Sequence, residues 1–91
     1  MEPSDPALVA ERVGRRIAEL RRTRGMTQES FAEALGRPVL YVRRVELATT
    51  NLTVVALVEI ANVLDCKVTT LFTAPKSMTV KPGRPRKTKR R

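Results

Sequence analysis

The chain has no histidine and no tryptophan, one cysteine, and only three aromatic residues among its 91. Without histidine, Ser–His and Cys–His catalysis and every histidine-ligated metal site are excluded. Ser, Thr and Glu are present, but no set of them supplies an activated nucleophile or a metal site. The chain therefore does not read as an enzyme, and it implies no cofactor and no metal. Cys66 has no partner for an internal disulfide, which fits a reducing, cytoplasmic compartment. No stretch approaches the ~18 apolar residues that a membrane span needs, and the acidic start MEPSDP is not a signal peptide. So little aromatic mass also argues against a sandwich or barrel. A 42% hydrophobic content, mostly aliphatic, suits one small helical core. A domain of this size buries about 60–65% of its unfolded surface, so it has little stability to spare.

Acidic residues are missing from one end. Residues 1–75 carry ten basic and nine acidic side chains, a net of +1. Residues 76–91 carry eight basic side chains and no acid, a net of +8. The overall +9 thus belongs to a polycationic tail, and such a tail is a default hypothesis for nucleic-acid binding. The tail has no hydrophobic period and several Pro and Gly, which predicts disorder until it meets a partner.

What is present before the tail is helical periodicity. A first helix is expected from Asp5, with Pro6 in its first turn, where a missing N–H costs nothing. Val9, Val13, Ile17 and Leu20 form its apolar stripe, and Arg12, Arg15, Arg16, Glu19 and Arg22 occupy other faces. Gly25 ends it. Thr27 caps a second helix, with Met26 and Phe31 placed as a hydrophobic staple. Phe31, Ala32 and Leu35 give that helix one apolar face, and Gly36 stops it. After Arg37 and Pro38 a second stripe follows, Val39 or Leu40 to Val42 and Val45, ending at Glu46. A helix of about eight residues, a three-residue turn and a second short helix is the spacing of a DNA-binding helix-turn-helix. Residues 47–52 read as a loop. Thr53 caps a further helix, on which Val54, Leu57, Val58, Ala61 and Leu64 are expected to form a continuous apolar face. Residues 68–72 add a last short helix or turn, and Pro75 closes the domain.

With these elements placed, residues 13–72 resemble the lambda-repressor/Cro-like (XRE) helix-turn-helix family. The residues that carry the likeness are GRRIAELRRTRGMTQESFAEALG, VRRVE and IANVLDCKVTTLF. The resemblance implies an all-α, five-helix domain over residues 1–75 that binds double-stranded DNA as a homodimer, in the cytoplasm or nucleoid. It implies major-groove contacts from Val39, Leu40, Tyr41, Arg43 and Arg44. It places Thr27, Gln28, Arg37, Thr49, Thr50 and Asn51 against phosphates, and makes Arg21 and Glu46 a structural ion pair. Three departures stand out. Pro38 replaces the usual Ser or Thr cap of the recognition helix, and Ala48 and Leu52 replace a common Gly and Pro in the loop that follows. At the base-reading positions Val39, Leu40 and Tyr41 are apolar, so only Arg44 and Arg43 offer hydrogen bonds to a guanine edge. If Leu40 packs into the core instead, both arginines rest on phosphates.

The tail resembles an AT-hook. In Lys81, Pro82, Gly83, Arg84, Pro85, Arg86 and Lys87, a Gly-Arg-Pro core sits among basic residues. Glycine lets a backbone lie on the floor of a narrow A·T minor groove, proline keeps it extended, and arginine enters where negative potential is concentrated. Pro82 stands where the motif has its first arginine. The minor-groove residues implied are Lys81, Gly83, Arg84, Pro85, Arg86 and Lys87.

Three functions compete at this level. The first is a transcriptional regulator, read as a repressor, with A·T-rich operators. The second is a nucleoid-associated, xenogeneic-silencer-like protein that coats A·T-rich DNA. The third is an antitoxin-type protein-interaction module. Val55, Val63, Val68, Leu71 and Phe72 exceed what one small core buries, which points to a dimer interface.

Overall fold

The computed structural model describes residues 4–76. Among them are four α-helices and no strand. The helices are α1 (Pro6–Thr23), α2 (Gln28–Leu35), α3 (Val39–Glu46) and α4 (Val54–Val63), followed by a 3-10 helix, Val68–Phe72. The closing element is therefore not a fifth α-helix. Its five residues include Val68, Thr69 and Thr70, all β-branched, and Lys67 before it offers no side-chain cap. A segment that short and poorly nucleated settles for the tighter turn. The basic segment 77–91 lies outside the described residues.

Local chemistry sets each boundary. Asp5 caps α1 by accepting from the Ala7 N–H at 3.0 Å, with Pro6 as the first helical residue. In α2 the Thr27 hydroxyl accepts from the Ser30 N–H, and the Ser30 hydroxyl accepts from the Thr27 N–H, both at 3.0 Å. Two otherwise orphaned donors are satisfied reciprocally. Gly36 ends α2 in the left-handed region at φ 69°, where glycine carries no Cβ penalty. Pro38 leads into α3 without a side-chain cap. Thr53 caps α4 by accepting from the Ala56 N–H at 3.0 Å.

The core is aliphatic around a single phenylalanine: Val13, Ile17, Phe31, Val42, Val45, Ile60, Leu64 and Leu71. Every element supplies at least one of them, so none of the short helices has to be stable alone. The apolar face of α4 matches the expected one at Leu57, Ala61 and Leu64 and differs from it elsewhere. Val54 and Val58 are exposed, and the helix buries Ala56, Ile60 and Ala61, with Leu64 at its end. Because α4 is apolar nearly all round, its sequence has no unique helical phase, and packing selects the side. Leu71, counted above as surplus, is fully buried, and Val63 and Val68 pack against the core. The apolar side chains left outside on this part of the fold are Val54, Val55, Val58 and Phe72.

α1 crosses the end of α3 at Gly14, which is buried. A Cβ there would lie 2.8 Å from the carbonyl oxygens of both Val45 and Glu46. These are backbone atoms and cannot rotate aside. Gly14→Ala gains about 1 kcal/mol of helix propensity, against roughly 1–3 kcal/mol for overpacking, here toward the upper end. The expected outcome is a net loss of about 1–2 kcal/mol and a melting temperature lower by roughly 5–10 °C in circular dichroism. Unchanged melting would contradict the close crossing.

After α3 the chain turns through Ala48 at φ 60°. A non-glycine residue in this region costs about 1–2 kcal/mol. The turn is held by Ala48 N–H to Val45 O at 3.1 Å and Thr49 N–H to Arg44 O at 2.9 Å. The loop thus takes a glycine-like path without a glycine.

Candidate nucleic-acid interface

α3 is anchored by Val42 and Val45, which are buried, while Val39 and Tyr41 are half-buried against the core. The opposite face carries Leu40, Arg43, Arg44 and Leu47, spaced by three, four and seven residues from Leu40, and all four are exposed. That spacing lines them along one side of the helix. Leu40 is 48% exposed and Leu47 73%. Leu40 therefore does not belong to the core, and the solvent-facing stripe is apolar at both ends and doubly cationic in the middle. Leu47 was missed from the sequence, although its position seven residues after Leu40 was available as a signal. Val39 and Tyr41 flank the stripe rather than lie on it.

Behind the stripe, a buried polar cluster joins three elements. Arg21, only 8% exposed, donates from Nε to Glu46 Oε2 at 2.6 Å and from Nη2 to Glu46 Oε1 at 3.2 Å. Its Nη1 donates to the Met26 carbonyl at 2.9 Å. Gln28 Nε2 donates to Glu46 Oε1 at 3.0 Å. The two-point Arg–carboxylate pair fixes orientation as well as distance. α1, the start of α2 and the end of α3 are held together at one carboxylate. The Gln28 amide is turned toward that carboxylate, which leaves one of its two N–H donors for another acceptor.

The remaining expected contact residues are spread around the stripe. Thr27 is exposed, with its hydroxyl oxygen used as the α2 cap. Arg37, in the turn, has its guanidinium 4.8 Å from the centre of the Tyr41 ring and 3.7 Å from Glu59 Oε1 on α4. Thr49 Oγ1 donates to Arg44 O at 3.4 Å, which ties the loop to α3. Thr49 and Asn51 are exposed and Thr50 half-buried. Thr50 and Asn51 also border a groove of about 590 Å³ whose apolar wall includes Val9, Leu52, Leu57 and Phe72. Lys81, Gly83, Arg84, Pro85, Arg86 and Lys87 lie outside the described residues.

Little else in the described residues offers chemistry. They contain no group of three His, Cys, Asp or Glu side chains able to hold a metal ion. No helix among them is long and apolar enough to cross a membrane. Partial burial pushes the Cys66 thiol up from its ordinary range, and the nearby charges of Arg24 and Arg16 oppose that shift.

Residues 17–71 match the helix-turn-helix family HTH_3, a span that contains α2, α3 and their turn. The restriction-modification controller protein C.AhdI from Aeromonas hydrophila is 34% identical. It is covered over its whole length by 75% of this chain, with a TM-score of 0.66. The hypothetical transcription factor NHTF from Neisseria shares the fold at 22% identity and TM-score 0.72, covering 84% of this chain and 87% of its own. The clp gene regulator ClgR from C. glutamicum does so at 21% identity and TM-score 0.66, over 77% and 86% of the two chains. No curated protein matches the sequence. The family match and the full-length likeness to C.AhdI lead to one conclusion: the chain belongs to the helix-turn-helix family of DNA-binding regulators.

Proposed function

We propose that this chain is a sequence-dependent transcription regulator, a repressor, that binds DNA as a homodimer. The observation that carries the reading is the solvent-facing stripe of α3, two arginines between two leucines, backed by a rigid polar cluster. Arg43 and Arg44 suit guanine edges or phosphates, and Leu40 suits thymine methyl groups. Val39 and Tyr41 border the same groove. Thr27, Gln28, Arg37, Thr49, Thr50 and Asn51 surround the stripe as phosphate contacts. Residues 1–75 form the DNA-binding domain in this reading, and residues 76–91 its basic tail. The tail enters an adjacent A·T-rich minor groove through Lys81, Gly83, Arg84, Pro85, Arg86 and Lys87. Likeness to a restriction-modification controller supports gene regulation over DNA coating.

The dimer reading rests on Val54, Val55, Val58 and Phe72, which are 74%, 68%, 40% and 56% exposed. So much exposed apolar surface on α4 and the 3-10 helix suits an isologous contact. A two-fold dimer presents two α3 stripes to successive turns of the duplex, so its operator is palindromic. Footprinting on the neighbouring promoter DNA tests this. The expected result is one discrete protected site with half-sites about one helical turn, roughly 10 base pairs, apart. Coverage that spreads along A·T-rich DNA without a boundary would overturn the regulator reading.

A further inference from the structure

Arg37 stands in the helix-turn-helix turn, two residues before α3, yet its charge is already engaged within the protein. Its guanidinium is 4.8 Å from the Tyr41 ring centre, and its Nη2 is 3.7 Å from Glu59 Oε1. Glu59 lies on α4, outside the helix-turn-helix, and belongs to none of the expected DNA contacts. Both side chains of the pair are about half exposed, at 45% and 53%. Nothing in the core therefore requires a carboxylate at position 59, and the pair is open to solvent and to an approaching phosphate.

We infer that Glu59 is an attenuator of DNA binding that neutralises the charge which Arg37, held against Tyr41, would otherwise offer to the phosphate backbone. The inference rests on the reading that the α3 face meets DNA. Three charges compete at this point of the surface. A phosphate that reaches Arg37 must either displace the carboxylate or share the guanidinium with it, at the cost of carboxylate–phosphate repulsion within a few ångströms. The Tyr41 ring keeps the guanidinium near the carboxylate by cation–π attraction, so the side chain does not simply swing free. Removing the carboxylate leaves the ring contact in place and frees the charge. Arg37 then becomes a fully available, pre-positioned phosphate contact.

The test uses the full-length chain and fluorescence anisotropy on an A·T-rich duplex across a salt series. Glu59→Gln is compared with the wild type and with Glu11→Gln, which removes the same charge from an exposed position on α1. Exposed ion pairs of this kind shift equilibria about two- to fivefold. Glu59→Gln is expected to bind tighter by that factor at 100 mM salt, and to steepen the log–log salt slope by roughly one unit. Glu11→Gln is expected to change affinity much less. In an Arg37→Gln background, Glu59→Gln is expected to change nothing. Unchanged or weaker binding by Glu59→Gln, or a gain that persists without Arg37, would overturn the inference while leaving the DNA-binding reading intact. A wild type that binds no duplex at all removes the reading and this inference with it.

Discussion

Glu46→Ala is expected to destabilise the fold by about 3–5 kcal/mol, the loss typical when one partner of a buried charged pair is removed. The Glu46 carboxylate accepts from Arg21 Nε, Arg21 Nη2 and Gln28 Nε2, and its side chain is only 7% exposed. Without it, the Arg21 guanidinium stays buried with the Met26 carbonyl as its remaining acceptor. Small domains are stable by roughly 5–15 kcal/mol in total, so the loss is a large share. The melting temperature should fall by roughly 15–30 °C. The cost comes from the orphaned charge and not from a large net benefit of the pair. Arg21→Met with Glu46→Leu together should therefore recover most of the single-mutant loss. Urea denaturation of the two singles and the double reads this directly. A single mutant that loses less than about 1 kcal/mol would contradict the role assigned to the cluster, because an exposed pair behaves that way. DNA binding should suffer as well, since the same carboxylate fixes the end of α3 to α1 and to the start of α2.

Much of this architecture could be read before any coordinates, because its markers are local. Asp5 with Pro6, Thr27, Gly36 and Thr53 are cap and stop residues whose effect is decided within a few positions. Spacing alone sets the buried Val42 and Val45 apart from the exposed Arg43 and Arg44, whereas it leaves Leu40 between core and groove. On α4 the expected Leu57, Ala61 and Leu64 do face the core, but Val54 and Val58 do not, because periodicity carries little information in a helix that is apolar on nearly every side. The close crossing at Gly14 was invisible for a different reason. Position 14 needs no unusual φ, so only the approach of the α3 backbone explains the missing side chain. The roles of Arg37 and Glu59 were hidden for a related cause: a pair 22 positions apart across two elements leaves no periodic trace. At the site, residue types identified the arginines, but only the fold places Leu40 and Leu47 with them on one face and turns Gln28 inward.

The folded unit carries a net charge of +1, and the tail carries almost all of the excess charge. The folded unit ends with Pro75 buried and the Lys76 N–H donating to Glu19 Oε1 at 3.1 Å. A chain cut after Lys76 keeps both contacts and removes the seven remaining basic residues. Each phosphate neutralised contributes about −0.9 to the salt slope on duplex DNA. The cut is therefore expected to flatten the slope by as much as roughly six units and to weaken binding by several orders of magnitude at low salt. A·T preference should go with it, because the guanine-edge contacts open to Arg43 and Arg44 outweigh the thymine-methyl contact open to Leu40. What remains should depend on Arg44. Its replacement by alanine costs about 1–3 kcal/mol if it takes a guanine edge.

The most direct measurement is anisotropy of the full chain and of residues 1–76 on A·T-rich and G·C-rich duplexes over a salt series. The prediction is that truncation flattens the slope, erases the A·T preference and leaves weak binding that Arg44→Ala weakens further. Tight, steeply salt-dependent and A·T-selective binding by residues 1–76 alone would contradict it.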